Sequence, residues 1–353
     1  MTSQLQKDML KMRTKLSSMP PPSSYDEDES NLEMPSPLGA TLHRPRSSKN
    51  YSPLSWEGHF DECEDLQIPG TQDIFRFYRV RGKISDPLYI FHHGAGHSAL
   101  SFGLVSLHMK QMAPEGGFSI LAYDCRGHGL TKTSEDNDFS LTRLAHDLVT
   151  IVKTIYKDEI PDIILVGHSM GGSVITEVAH KRLLPSILGF AVLDIVEGSA
   201  MYAMKNINAY INSRPTEFQS MEQAIKWMVR SGTVHNVESA RLSVPPLLVE
   251  NAVGNYAWRT DLNYSRPFWT EWFQGLSDKF LNAQGAKLLI LASTDYLDKE
   301  LMIGQMQGKF QLIVFSNCGH AVEEDDPERM ASTLLDFMRR NQRLVLPKKV
   351  PLP

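Results

Sequence analysis

The apolar run Ile163-Ile-Leu-Val enters Gly167-His-Ser-Met-Gly-Gly172 without a break, and an amphipathic stretch follows over residues 170–183. A strand that becomes a helix within one residue forces that residue, Ser169, out of ordinary backbone geometry. Only small neighbours fit beside such a bend, and Gly167 and Gly171 supply them. The bend sits at the C-terminal end of a buried strand and lifts the serine hydroxyl clear of the sheet. A β-turn-α unit of this kind calls for a sheet around it.

The rest of the chain supplies one. Short β-branched and aromatic runs at 74–80, 88–92, 119–123, 163–167, 189–194, 287–292 and 310–315 alternate with helical patterns, notably at 140–157, 170–183 and 327–340. Apolar strands alternating with helices of ten or more residues predict the α/β class, a mainly parallel sheet flanked by helices. No fixed-period repeat appears. About 90 residues separate two core strands where one helix would suffice, so a helical cap is expected before the penultimate core strand. The predicted organisation is a core at 51–195, a cap at 196–286, and the rest of the core at 287–341. The tails at 1–50 and 342–353 flank it.

Residues 1–50 hold nine Ser, six Pro and one aromatic, Tyr25, too little apolar surface to offset chain entropy. Leu5, Met9, Met12 and Leu16 keep helical spacing within this tail and would suit a docking helix; the plainer expectation is a fraying end. Residues 342–353 are basic and Pro-rich. Lys and Arg number 36 against 41 Asp and Glu, so no global basic field points to nucleic acid. No apolar run is long enough for a membrane span, and no secretory leader is visible at MTSQLQKDML. Three cysteines, Cys63, Cys125 and Cys318, do not form a disulfide framework and suit a reducing compartment, cytoplasm or nucleus. A monomer is expected.

An alcohol needs a base before it attacks anything. Of twelve histidines, His320 alone follows the last predicted strand and precedes the last long helix. His168 belongs to the bend itself and must point away from the Ser169 hydroxyl. His92, His93 and His97 lie in HHGAGHSA, where the glycines favour a loop role over a metal site. Two backbone donors are needed to hold a developing oxyanion. Met170 N–H, at a helix start, is one, and Ala95 N–H in the glycine loop is the other. Asp124-Cys-Arg-Gly-His-Gly129 reads as a structural turn bordering the pocket. The acid partner is open between Asp194, which ends the strand after the one bearing Ser169, and Asp295, with Asp298 behind it. Four of the five tryptophans, Trp227, Trp258, Trp269 and Trp272, fall in the cap, with Tyr202, Tyr210, Tyr256 and Tyr264. They form either the cap's own core or a recognition surface for a partner, with Trp269 and Trp272 as candidates for substrate contact.

Bend, glycine loop and terminal histidine, in that order, resemble the α/β-hydrolase superfamily across about residues 70–340. Generic hydrolase topology favours Asp295, while adjacency of parallel strands brings Asp194 to the same edge, so the acid stays open. More particular segments are SPLSWEGHFDE, HGAGHSALSF, VLDIVEGSAM, ESARLS, YAWRTDL, WFQGLS, LDKELMIGQMQGKFQ and CGHAVEEDDP. Together they resemble the protein phosphatase methylesterases, which remove the methyl ester from the C-terminal leucine of the protein phosphatase 2A catalytic subunit. The resemblance implies Ser169, Asp194 and His320 as a triad, with no metal and no organic cofactor. Two departures stand out: Ala95 where the family has another glycine, and a short cap between Val244 and Trp258. General small-ester hydrolysis, or phosphatase binding on a hydrolase scaffold, are the competing expectations.

Overall fold

The computed structural model describes residues 50–204, 207–295 and 297–342. Both tails lie outside these residues apart from their inner ends, and so does the helical spacing at Leu5 to Leu16. Six strands come first: β1 (Glu62–Gln67), β2 (Ile74–Val80), β3 (Leu88–His92), β4 (Ser119–Tyr123), β5 (Ile163–His168) and β6 (Ile187–Leu193). After the cap come β10 (Ala286–Leu291) and β11 (Gln311–Val314). All eight join one sheet in the order β1-β2-β4-β3-β5-β6-β10-β11. From β4 to β11 the neighbours run parallel, and β1 and β2 are the antiparallel edge.

The centre of the sheet is buried on both faces, and its side chains sort by the two-residue period of a strand. Leu88, Ile90, Leu121, Ile163 and Leu165 face a core closed by α2 (Leu141–Tyr156) and α3 (Met170–His180). Tyr89, Phe91, Ile120, Ile164 and Val166 face the opposite core, closed by α1 (Gly103–Met112) and α12 (Pro327–Asn341). Burial on both faces explains why these strands are apolar runs and not alternating ones. The edge strand β1 is the exception. Its sequence, ECEDLQ, is mostly polar, and its carboxylates pair with the arginines of β2 and the turn after it: Asp65 with Arg76 at 2.6 Å, Glu64 with Arg79 at 2.8 Å, and Glu62 with Arg79 and Arg81.

Between β6 and β10 the chain leaves the sheet. It forms α4 (Glu197–Ala203), α5 (Ile207–Ser213), α6 (Met221–Arg230), α7 (Val237–Ser243), α8 (Trp269–Phe273) and α9 (Leu276–Asn282). Helices dominate the cap, as the sequence suggested, and short strands join them. A small antiparallel sheet, β7 (Glu217–Phe218), β9 (Tyr256–Trp258) and β8 (Leu248–Glu250), lies among the helices. Strands of two or three residues are too short for alternation to show in sequence.

The tryptophans divide between two cores. Trp227 and Trp258 surround Phe218, Ile225, Met228 and Leu248 in the cap's own cluster. The guanidinium of Arg214 lies 3.9 Å over the Trp258 ring. Trp269 and Trp272, at 8% and 2% exposed, belong to the main core. Beyond the cap, α10 (Lys299–Met306) follows β10, and α11 (Val322–Asp325) follows β11. Among the described residues no helix is long and apolar enough to cross a membrane.

Candidate active site

Ser169 stands between β5 and α3 with φ 50° and ψ −116°, a left-handed conformation imposed by the abrupt change from strand to helix. The small neighbours are obligatory. A Cβ on Gly167 would approach the Gly171 carbonyl oxygen to 2.3 Å, and one on Gly171 would approach that of His92 to 2.2 Å. Ser169 caps α3, so Met170 is the first helical residue, and its N–H is among those without a partner inside the helix.

Asp194 follows β6 and is also left-handed, at φ 47°. Its Oδ1 accepts the N–H of Ala292, the residue after β10, at 2.8 Å. Its Oδ2 lies 2.8 Å from Nδ1 of His320. That contact makes His320 the Nδ1–H tautomer and leaves Nε2 as the lone pair. Asp295 is exposed, and its backbone N–H bonds Ser293 Oγ; Asp298 caps α10 and accepts Ser277 Oγ at 2.6 Å. Neither of those carboxylates touches His320. The His320 ring packs 4.7 Å from that of His168, the residue preceding Ser169. Among the described residues no hydrogen bond joins Ser169 Oγ to His320. Such bonds in ligand-free hydrolases tighten when substrate arrives.

The glycine loop after β3 lies against the bend, since a Cβ on Gly94 would come within 3.3 Å of Ser169 Cβ. Two imidazoles hold this loop. His93 Nδ1 bonds the Gly94 carbonyl at 2.8 Å while its Nε2 accepts Cys125 N–H at 3.0 Å. His128 Nε2 accepts Gly96 N–H at 2.8 Å, and its Nδ1 bonds the Arg126 carbonyl at 2.8 Å. Each ring therefore has one fixed tautomer. Burial holds the His128 imidazole down at about 4 and that of His93 well below the usual histidine range, so both stay neutral. The turn at 124–129 is thus more than a border of the pocket: Asp124 takes Ala99 N–H at 2.8 Å and Leu130 N–H at 2.9 Å, and His128 braces the loop that carries Ala95. The histidines of HHGAGH at 92–97 and of Gly127-His128-Gly129, each set among glycines and following a core strand, were the signal in the sequence.

Asp325 ties the cap to the loop of His320. Its Oδ2 accepts the N–H of Gly319 at 2.6 Å and lies 3.0 Å from Nδ1 of His235; its Oδ1 accepts the His235 N–H at 2.6 Å. An open cleft of about 210 Å³ beside the histidine is lined by Asp194, Ile195, Val196, Ala200, Leu291 and His320. A second cleft, of about 370 Å³, lies away from these residues between Lys132, Phe139, Arg259 and Tyr264.

Trp269 and Trp272 are not part of an exposed receiving surface. The Trp272 indole N–H bonds the Phe139 carbonyl at 2.8 Å and that of Trp269 bonds Ser265 Oγ at 2.9 Å, so both polar handles are spent inside the fold. Among the described residues no group of His, Cys, Asp and Glu is placed to hold a metal ion.

The arrangement is a strained serine, an imidazole oriented by a carboxylate, and a glycine loop pressed on the serine, which together suit acyl transfer. Comparison with known proteins agrees with that chemistry. Residues 89–333 match the family model described as the alpha/beta hydrolase family. A protein phosphatase methylesterase 1 of Aspergillus oryzae is 46% identical, with 89% of this chain and 78% of the relative covered. One of Emericella nidulans is 43% identical, with 99% and 92% covered. Among solved structures, an E-2-(acetamidomethylene)succinate hydrolase superposes with a TM-score of 0.63 at 17% identity, over 79% of this chain and 99% of that one. A thioesterase domain from the curacin biosynthetic pathway gives 0.58 at 18% identity, over 78% and 99%. At such identities the structural likeness speaks for the fold alone.

Proposed function

Since the chain belongs to the protein phosphatase methylesterase family of α/β hydrolases, and is thereby a carboxylic ester hydrolase, we propose that it acts as a monomer on the C-terminal leucine methyl ester of the protein phosphatase 2A catalytic subunit, in cytoplasm or nucleus. Ser169 is the nucleophile, His320 the base, and Asp194 the group that orients it. His320 Nε2 takes the Ser169 proton as the hydroxyl attacks the ester carbonyl. The oxyanion is met by the N–H groups of Met170 and Ala95. His320 then returns its proton to the methoxy oxygen, so methanol and not methoxide departs. Water, deprotonated by the same imidazole, cleaves the acyl-serine and leaves a free carboxylate on the leucine.

The observation that carries this reading is the 2.8 Å contact of His320 with Asp194 on the loops that flank a left-handed Ser169. The test is methanol release from purified methylated phosphatase. Wild type is expected to release it, and Ser169→Ala to bind the phosphatase and release none. Demethylation by the variant would remove Ser169 as nucleophile. A wild type that cleaves small esters but leaves the phosphatase methylated would favour general esterase activity.

A further inference from the structure

His168 is fully buried behind the nucleophile and is used by no step above. Its Nε2 lies 2.9 Å from the carbonyl oxygen of His320. A carbonyl only accepts, so Nε2 carries the hydrogen. In a neutral ring Nδ1 is then a lone pair, and it lies 3.1 Å from Oε1 of Glu323, which is fully buried too. An ionised carboxylate facing that lone pair has nothing to offer it; a carboxylic acid has one O–H. Among the described residues neither Glu323 oxygen nor His168 Nδ1 has an aligned hydrogen-bond partner; the carboxyl faces its own backbone N–H, and its Oε1 faces His168 Nδ1.

The surroundings agree. Around Glu323 stand Glu324, Asp325 and Asp194, and around His168 stand His320, His97 and His93. A second negative charge among the carboxylates, or a positive one among the imidazoles, is opposed from both sides. Burial drives the Glu323 carboxyl well above its usual range and the His168 ring well below its own.

We propose that Glu323, as the neutral acid, and His168 form a one-proton pair that positions His320: the pair holds the carbonyl of residue 320 from behind and thereby sets its ring against Asp194. Glu323 and His168 are positioning residues. The proposal rests on the reading of His320 as the base.

The test uses the full chain with two substrates, a small chromogenic ester and the methylated phosphatase. Glu323→Gln keeps a neutral donor for Nδ1, so its kcat is expected within about 3-fold of wild type with the acid limb of the kcat/KM profile unmoved. Glu323→Leu and His168→Leu are expected to lower kcat about 10- to 100-fold on both substrates with little change in KM, and the double variant to be no worse than the worse single one. Loss of more than about 10-fold in Glu323→Gln, or an acid limb displaced by about half a pH unit or more, means an ionised Glu323 and overturns the pair. So do two leucine variants with wild-type kcat. If the leucine variants do not fold, the glutamine profile decides alone. Failure of the substrate assignment shows separately, as a silent phosphatase arm in wild type. Failure of the base assignment shows as an active His320→Ala.

Discussion

Nδ1 of His320 stands 2.8 Å from Oδ2 of Asp194, although the two residues are 126 apart in the chain. The carboxylate is not free to swing, because its other oxygen holds Ala292 N–H and its backbone is turned left-handed. An imidazole set this way presents Nε2 as a lone pair, the form a base requires.

Asp194→Asn therefore removes the acceptor that fixes this tautomer. Its kcat for methanol release is expected to fall about 10³- to 10⁴-fold, the scale seen when a triad aspartate becomes asparagine in a serine protease. Asp295→Asn, which alters an exposed side chain remote from the imidazole, should stay within about 2-fold. The reverse ranking in a methanol assay would make Asp295 the acid.

Gly94→Ala puts a methyl 2.9 Å from His168 Nδ1 and 3.3 Å from Ser169 Cβ. Ring and bend are both held, so the loop must retreat and carry Ala95 N–H with it. Displacing one oxyanion donor should cost about 10² to 10³ in kcat with KM little changed. Steady-state kinetics on a small ester suffices to check this.

Trp272→Ala empties a site in the main core. Stability to urea is expected to drop by about 3–5 kcal/mol. Because the ring is 2% exposed, any residual loss of activity should be equal on the phosphatase and on a small ester. A selective loss on the phosphatase alone would return Trp272 to the recognition surface.

His128 gives a pH signature. Its folded value is about 4 and its unfolded value about 6.5, so below 6.5 the unfolded chain binds a proton the folded one refuses. Stability owed to the neutral ring is complete above pH 6.5 and is lost as pH falls toward 4. His128→Gln keeps an acceptor for Gly96 N–H but not this sensitivity. The stability difference between wild type and the variant should shift by about 3 kcal/mol against wild type between pH 7 and pH 4. Urea titrations at the two pH values measure it.

Sequence alone disclosed the sheet and the serine because both depend on local rules: apolar runs buried on two faces, and glycines without which the bend would clash. It left the acid open because Asp194 and Asp295 follow strands that lie side by side, β6 and β10. What separates them is a left-handed backbone and an N–H from Ala292, neither of which leaves a mark in the order of residues. The edge strand β1 escaped notice for a related reason: its charges are matched by arginines on its neighbour, so its hydropathy resembles a loop. Tryptophan content was visible in the cap region, but not that two of the rings would turn down into the main core. Glu323 was hidden inside an acidic run, EEDD, that looks solvated, while the fold buries its first two members.

The two oxygens of Asp325 hold His235 on one side and the residue before His320 on the other. Lid and chemistry thus share a bolt. A cap prised upward by heat, denaturant or a crowbar-like inhibitor would slacken the histidine loop in the same motion, so inactivation should precede global melting, and a lidless remnant of this molecule would be silent as well as blind.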